Sequence, residues 1–480
     1  MRGRAGVACF LLLAALGPGC AVGPDYKRPA SDVPPEYRGP SPDRAGEPGA
    51  KSFGDEAWWD AFQDETLHDL IRTALRQNYD VRIAATRILE AQAQLGIIGA
   101  DQFPSLGGSA SATKAQTPDT AVIPGFKANS LQVGLSFAWE LDFWGKFRRA
   151  TESARANLLA QEWAQRQVVS SLISDVADAY FQLRELDLEL EISRETLASR
   201  TNSLRLTQLL ADHGATSMLD VRQAEQLVYG AGAAIPDLER RIAQQENLIS
   251  ILLGENPRSI ARGRDLVDQP HPLDVPAGLP SSLLERRPDI REAEQQLVAA
   301  NAQIGVAIAR YFPQITLTAS GGYQSSALAG LFTGPAAFWS LAASALQPLF
   351  EGGRIRSGVH LAEARTEEAL LFYERTVQEA FRDVADALVA YQKNQEFRIQ
   401  EEHLADSAGE ASKLSNMRYR GGAASYLEVL DSETRYFVAQ LAVAQATLRE
   451  LQSLIQIYRA LGGGWETSQN DTASGGAANR

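Results

Sequence analysis

The spacing of apolar residues predicts two very long helices. From Lys146 to Asp212 apolar side chains recur every three or four positions, and neither Gly nor Pro interrupts the segment. This periodicity is helical, and at 1.5 Å per residue the helix would be about 100 Å long. A second segment, Arg354 to Arg420, repeats the pattern and contains only Gly358 and Gly409 as weak helix formers. Because helices in globular proteins average about 11–12 residues, rods of this length favour a coiled-coil-like assembly.

Shorter helical segments flank each rod. In the first half they cover residues 64–102 and 218–253, and in the second half a helix precedes the strands and another covers 426–461. The connections from rod to returning helix, 212–217 and 420–425, are rich in Gly and small residues, as tight helical hairpins require. We therefore expect one long helix beside two shorter helices stacked head to tail.

Between the first helix and the rod of each half, the period changes to two. One segment alternates apolar with small or polar residues: Val133, Leu135, Phe137 and Trp139 against Gln132, Gly134, Ser136 and Ala138. Segments of about ten such residues with aromatic residues near their ends are typical of tilted strands that cross a bilayer. A sheet in a soluble protein is the alternative interpretation. The predicted strands are 104–114, 129–139, 313–323 and 338–348.

Four membrane strands are too few for one chain. Four strands do not close a barrel, and in hydrocarbon each unpaired N–H or C=O group at an open edge costs several kcal/mol. If these strands span a membrane, several copies of the chain must pool them.

The chain contains a tandem repeat. Asp-Val-Ala-Asp-Ala begins at Asp175 and again at Asp383, and the flanking similarities keep the same offset. The predicted organisation is therefore two homologous halves. Its segments are a signal peptide at 1–19, an extended N-terminal segment at 20–63, repeat 1 at 64–255, an equatorial linker at 256–272, repeat 2 at 273–463 and a disordered tail at 464–480.

Composition and targeting signals narrow the class of protein. The chain has 480 residues, of which 45% are hydrophobic and 22% charged, enough for a large folded body. Arg2, Arg4, an apolar run and small residues before Cys20 predict a secretory signal in which Cys20 receives a lipid anchor, although Leu16 and Gly17-Pro18 make the site atypical. The net charge of −13 argues against a nucleic-acid partner. No run of 18 apolar residues follows, so no transmembrane helix is predicted.

Four motifs carry a resemblance to a known family. The motifs are "CAVGPDYKRP" (Cys20–Pro29), "WWDAFQDETLHDLI" (Trp58–Ile71), "LERRPDIREAE" (Leu284–Glu294) and "ALGGGW" (Ala460–Trp465). In these motifs the sequence resembles the TolC-like outer-membrane efflux factors, in the lipoprotein (NodT-type) branch of RND-type tripartite systems. The charges of the third motif favour a structural role, with Pro288 opening a helix.

The resemblance implies both a fold and a function. It implies an α+β membrane protein: a trimeric 12-stranded outer-membrane β-barrel, four strands per chain, continuous with a long periplasmic α-helical barrel built from two tandem structural repeats. The implied function is the exit duct of a tripartite efflux pump that exports drugs or other small toxic compounds. The implied partners are two further copies of the chain, outer-membrane lipid, a periplasmic adaptor and an inner-membrane RND-type transporter.

The same resemblance indicates site residues near the hairpin turns. In the family's second hairpin a Leu, an Asp four residues later and an Arg three further on contribute to a closed constriction. Leu427 and Asp431 match the first two positions, whereas Thr434 stands at the third and Arg435 follows it. Arg435 could still pair with Asp431 within one helix. These side chains are alternatively ordinary coiled-coil residues. The turns expected to dock the adaptor comprise Gly214, Ala215, Thr216 and Ser217, and Gly421, Gly422, Ala423, Ala424 and Ser425.

Motifs for catalysis and metal binding are absent from the sequence. The five His residues lack metal-ligand spacing, and no metalloprotease, hydrolase or P-loop motif occurs. We therefore expect neither an enzyme nor a cofactor. Two rival interpretations are a periplasmic or cell-surface coiled-coil scaffold lipoprotein without a pore, and a diffusion porin, which would carry all its strands in one chain.

Overall fold

The computed structural model describes residues 21–30, 33–35, 37–38, 52–55, 62–118, 125–272, 275, 278 and 280–465. The signal segment with Cys20 and the tail from residue 466 onward lie outside the described residues, as does most of the Pro-rich stretch before residue 52.

The described elements follow each other in the same order twice. The first half contains α1 (Glu65–Gln77), α2 (Tyr79–Ala100), β1 (Ser105–Gln116), β2 (Lys127–Leu141), α3 (Lys146–Asp212) and α4 (Met218–Leu252). The second half contains α5 (Pro280–Arg286), α6 (Pro288–Ala309), β3 (Gln314–Ser325), β4 (Ala337–Leu346), α7 (Arg354–Arg420) and α8 (Tyr426–Ala460). Within the described chain, no helix is both long enough and apolar enough to cross a bilayer.

The helical segment predicted at 64–102 is two helices rather than one. Asn78 is the C-cap of α1: its backbone N–H donates the last helical bond, to the Ala74 carbonyl at 2.8 Å, and its ψ of 134° is no longer helical. The Asn78 side-chain oxygen then accepts from the backbone N–H of Asp80 at 2.7 Å and so caps α2. Its side-chain nitrogen donates to the carbonyl of Leu252 at 2.9 Å. The break therefore depends on a contact with the distant end of α4, which periodicity does not reveal.

The chain divides into two compact units. The first unit combines residues up to 30 with 87–162 and 292–374, and it holds the whole sheet. The sheet is antiparallel throughout, in the order β1-β2-β3-β4. Trp144 stacks on Phe312 with ring centroids 4.7 Å apart, and its indole N–H donates to the Pro313 carbonyl at 2.8 Å. This pair ties the end of the second strand to the start of the third.

The second unit combines residues 31–86, 163–291 and 375–480. Its core forms along the apolar stripe of α3, where Val176, Tyr180 and Leu183 have no exposed surface. Leu454 and Tyr458 of α8 are also buried in this unit. Pro236 lies inside α4, which continues through it to Leu252.

A buried carboxylate fastens the start of α1 to the rest of the second unit. Asp64 is 3% exposed, and its carboxylate caps α1 by accepting from the backbone N–H of Thr66 at 2.9 Å. The other carboxylate oxygen accepts from the Tyr180 hydroxyl at 3.0 Å, the Arg264 backbone N–H at 3.0 Å and the Gln269 side chain at 3.2 Å. This one side chain thus joins α1, α3 and the segment that links the two repeats.

Candidate functional site

The strand register gives the sheet one apolar and one polar face. Residues directly opposite each other in an antiparallel pair lie on the same face. Leu135 pairs with Gly108 and Gly321, and Gly321 pairs with Trp339. On this face lie Leu106, Val133, Leu135, Phe137, Trp139, Ile315, Leu317, Tyr323, Trp339 and Leu341. On the other face lie Ser109, Ser111, Thr113, Gln132, Ser136, Thr316, Thr318, Ser320, Gln324, Ser340 and Ser344.

The apolar face is uncovered in the single chain. Trp339 is 83% exposed, Leu341 74% and Leu135 60%. The two outer strands each have one neighbour among the described residues, since β1 pairs with β2 and β4 pairs with β3. A sheet with an exposed apolar face, a face of hydroxyl and amide groups and two open edges has the pattern of a segment of a membrane barrel.

The two hairpin turns share one backbone geometry. Gly214 has φ +71° and Gly422 has φ +73°, a left-handed conformation that only Gly adopts without strain. In the first turn the Gly214 N–H donates to the Ala211 carbonyl at 2.9 Å and the Ala215 N–H to the Leu210 carbonyl at 2.8 Å. The equivalent bonds of Gly422 and Ala423 in the second turn are both 2.9 Å long. Both turns are therefore Schellman C-caps, which end the long helices and reverse the chain.

The helices that leave the two turns are capped differently. Ser217 forms a reciprocal capping box with Asp220 at the start of α4. Ser425 makes no side-chain capping bond at the start of α8. Glu428 in the first turn of α8 instead forms an ion pair with Arg418 at 3.0 Å, across the hairpin.

The three residues indicated for the gate lie near the start of α8 and are exposed in the single chain. Leu427 is 59% exposed. The Arg435 guanidinium lies 2.9 Å from the Asp431 carboxylate, an i,i+4 pair whose side chains are 75% and 60% exposed. Thr434, at the position where the resemblance implies Arg, donates its hydroxyl to the Leu430 carbonyl at 2.7 Å. The structure thus places Leu427, Asp431 and Arg435 on one short segment, with the pair made inside the helix.

The sequence of this chain matches a known protein family over most of its length. The sequence matches the family described as "Outer membrane efflux protein" over residues 70–255 and 279–463. SrpC of Pseudomonas putida, named as the outer membrane protein of a solvent efflux pump, is 39% identical over 464 residues, which cover 94% of this chain and 97% of the relative.

Two solved structures are similar to this chain along almost their whole length. The outer-membrane channel OprN has 33% sequence identity and a TM-score of 0.85, covering 93% of this chain and 100% of that one. The open state of the Neisseria gonorrhoeae MtrE outer membrane channel has 30% identity and a TM-score of 0.84, covering 93% and 99%.

The chain belongs to the outer membrane efflux protein family. The prediction of an outer-membrane efflux channel is confirmed, and so is the α+β membrane fold with four strands per chain and two tandem repeats. This is a family of transport channels and not a family of enzymes.

In the sheet-containing unit of this efflux protein, Arg149 of α3 binds the first sequence motif, Cys20–Pro29. The guanidinium of buried Arg149 donates to the carbonyls of Val22 at 3.3 Å and Gly23 at 3.4 Å, and to the Asp25 carboxylate at 2.7 Å. The N-terminal segment passes so close to α6 that a Cβ on Gly305 would lie 2.6 Å from the Val22 carbonyl oxygen. The residues that follow Cys20 are therefore held beside the start of α3.

The third sequence motif takes part in the same docking. Glu294 of α6 accepts from the Tyr26 hydroxyl at 3.3 Å and pairs with the Arg28 guanidinium at 3.1 Å. Burial and the nearby Glu294 charge raise the pKa of Tyr26, so its hydroxyl remains a donor. Pro288 is the first residue of α6. Sequence reasoning assigned this motif a helix start and missed that Glu294 receives the N-terminal segment.

A pair of buried carboxyl groups lies in the second unit, called the helical unit below because the whole sheet belongs to the first. Glu185 and Glu189 are one turn apart on α3, and each is 3% exposed. The Glu189 carboxylate accepts from the Gln445 side chain at 2.8 Å and lies 3.3 Å from the Arg241 guanidinium. Burial, a hydrogen bond to Glu189 and the charge of Glu189 raise the pKa of Glu185 from its ordinary 4.5 to about 8.

This pair gives a pH-dependent stability that can be measured. Because the folded state raises the pKa of Glu185, its contribution to stability is complete below pH 4.5 and is lost as the pH rises to about 8. We expect Glu185→Gln to flatten the fall in melting temperature over that range in detergent. Glu191→Gln, on an exposed position of the same helix, serves as the control and should keep the native slope. A native slope in Glu185→Gln as well would contradict this assignment.

Proposed function

We propose that three copies of this chain form the exit duct of a tripartite efflux pump, completed by a periplasmic adaptor and an inner-membrane RND-type transporter. The observation that carries the proposal is the two-faced, open-edged, four-stranded sheet. Pooling the strands of three chains gives twelve, pairs every edge and turns the apolar face to lipid and the polar face to the lumen. The segment that begins at Val22 and is held by Arg149 would bring a lipid anchor on Cys20 close to this sheet.

The proposed cargo is small toxic organic compounds, including drugs. SrpC is named for solvent efflux and shares 39% of its residues with this chain. A duct lined by Ser, Thr and Gln side chains offers many weak hydrogen bonds and no strong binding site, so solutes of different chemistry would pass it.

The proposed gate is the segment of α8 that carries Leu427, Asp431 and Arg435. These apolar and charged side chains are exposed and lie a few residues after a tight turn. Around a threefold axis they would meet the same residues of the neighbouring copies. The MtrE structure is described as an open state, so at least one channel with this fold opens. The turns themselves, Gly214–Ser217 and Gly421–Ser425, are the proposed docking points for the adaptor, which would bias the gate by gripping them.

Single-channel recording tests the gate. Asp431→Ala removes the carboxylate that pairs with Arg435, so we expect the closed state of the tip to be less stable. The conductance of the purified protein in a planar bilayer should then rise about twofold or more. Asp237→Ala is the matched control, because Asp237 pairs with Arg240 at 2.6 Å in an equally exposed position on α4. Native conductance in Asp431→Ala would remove this residue from the gate.

A further inference from the structure

A single buried arginine joins the two hairpins of the helical unit. Hairpin 1 is the end of α3, its turn and the start of α4, and hairpin 2 is the end of α7, its turn and the start of α8. Arg200 of α3 is 5% exposed. Its guanidinium donates to the Leu227 carbonyl in α4 at 3.0 Å and to the Glu433 carbonyl in α8 at 3.5 Å, and it lies over the Phe437 ring at 5.0 Å.

The partners of Arg200 are unusual for a buried cation. A guanidinium is best satisfied by a carboxylate, which accepts two parallel bonds. The Glu433 carboxylate is nearby, but one of its oxygens accepts from the Asn416 side chain at 3.0 Å. Among the described residues, the other Glu433 oxygen and Nε of Arg200 are buried without a hydrogen-bond partner. The cation and the carboxylate thus each keep an unused hydrogen-bonding atom.

The surroundings leave space for a second arrangement. Arg200, Asn416 and Glu433 line a cavity of about 640 Å³ between the helices of the two hairpins. Most of the residues that line it have polar side chains, Ser199, Ser203 and Ser412 among them.

Among the described residues, the other contacts near the turns are either internal to one hairpin or apolar. Ser415 and Ser432 bond to each other at 2.5 Å within hairpin 2. Ala224 of hairpin 1 packs with Tyr426 and Val429 of hairpin 2, a non-directional contact that tolerates sliding. In the part of the chain that the structure describes, the next side-chain hydrogen bond between these hairpins, from Gln445 to Glu189, lies further from the turns.

The second repeat lacks an equivalent of Arg200, so its bond between the two hairpins occurs in the first repeat alone among the described residues. The residue 208 positions after Arg200 is Ala408, which has no polar side chain. The acceptor Leu227 corresponds to Arg435, one of the proposed gate residues. Within the described residues, Arg200 of hairpin 1 therefore bonds to hairpin 2, whereas the equivalent position of hairpin 2 has no side chain that could bond to hairpin 1.

We infer that Arg200 is the positioning residue that fastens the gate-bearing start of α8 to hairpin 1 and so sets the resistance of the gate to opening. This inference rests on the proposed gate. Glu433 lies between Asp431 and Arg435, so a bond to its carbonyl fixes the height and rotation of the gate segment. Opening breaks this bond, and the unused carboxylate oxygen of Glu433 then accepts from Arg200 in the cavity, so that the cation stays paired as α8 moves.

Recording from purified protein in planar bilayers tests the inference. Arg200→Ala should raise the single-channel conductance about twofold or more while the trimer band on a non-denaturing gel is retained, because the gate segment loses its directional hold. Arg200→Lys keeps one charged donor, so its conductance should stay close to that of the native protein. Arg194→Ala is the matched control, since Arg194 lies on the same helix and makes an exposed pair with Glu239 at 2.8 Å.

The variants distinguish a fastening role for Arg200 from a general loss of helix packing. If Arg200→Ala fails to assemble, Arg200→Met, which keeps a long side chain but no donor, takes its place with the same expectation of raised conductance. Native conductance in an assembled Arg200→Ala or Arg200→Met protein, or an equal rise in Arg194→Ala, overturns the inference. If Asp431→Ala has native conductance but Arg200→Ala does not, the gate assignment of Asp431 fails and the fastening role stands.

Discussion

Replacing Gly214 or Gly422 with Trp should abolish export while leaving the assembled channel intact. A Cβ at either position meets nothing within 4 Å, so the turn itself has room for a side chain. The indole would, however, occupy the outer surface of the turn on which the proposed adaptor docks. We expect cells that carry either variant to be as sensitive to efflux substrates as cells without the gene, with normal amounts of trimer in the outer membrane.

Alanine at the same positions separates backbone strain from bulk. Gly214 and Gly422 have φ near +70°, so any other residue adds strain of about 1–2 kcal/mol. Gly214→Ala and Gly422→Ala carry this strain without the indole and should export nearly as well as the native protein. Full resistance in the Trp variants would contradict adaptor docking at these turns. Equal loss in the Ala variants would assign the defect to turn geometry instead.

Asp64→Ala should cause the largest loss of stability of any single substitution considered. The Asp64 carboxylate accepts from two backbone N–H groups of α1 and from donors on Tyr180, Arg264 and Gln269, all in a buried site. Alanine leaves these donors without an acceptor, and unsatisfied buried groups of this kind cost roughly 3–5 kcal/mol together. We expect a strongly reduced yield of folded protein and a clearly lower melting temperature in detergent.

Asp69→Ala provides the comparison on the same helix. Asp69 is 78% exposed and pairs with Arg72 at 3.1 Å, a surface contact that contributes little. Its loss should leave yield and melting temperature close to native values. If Asp64→Ala melts at the same temperature as Asp69→Ala, the buried network does not stabilise the second unit as described.

The regular elements were largely predictable because their signals are local. The ends of α3 at Lys146 and Asp212 coincide with the limits of the segment free of Gly and Pro, and the left-handed Gly residues mark both turns. Alternation in Val133–Trp139 indicated the strand predicted at 129–139, and β2, Lys127–Leu141, extends two residues beyond that prediction at each end. The sequence allowed Arg435 to pair with Asp431, because side chains four residues apart are neighbours on a helix, and the structure contains this pair.

The missed features depend on residues that are far apart in the chain. Asn78 breaks the predicted helix 64–102 through a partner 174 residues away. Arg149 holds Asp25 across 124 residues, and Arg200 reaches Glu433 across 233. In the sequence, Arg200 lies in a polar part of a long helix and has the appearance of a solvated surface residue.

The sequence by itself determined the rods, the four alternating strands, the hairpin turns and the repeat, since periodicity and glycine act over a few residues. Only the tertiary structure decided which polar groups are buried and what satisfies them: Asp64 in its cap, Arg149 on the N-terminal segment and Arg200 between the hairpins. The physical reason is that a buried charge is tolerated where distant segments supply its hydrogen bonds, and their meeting is a property of the folded chain.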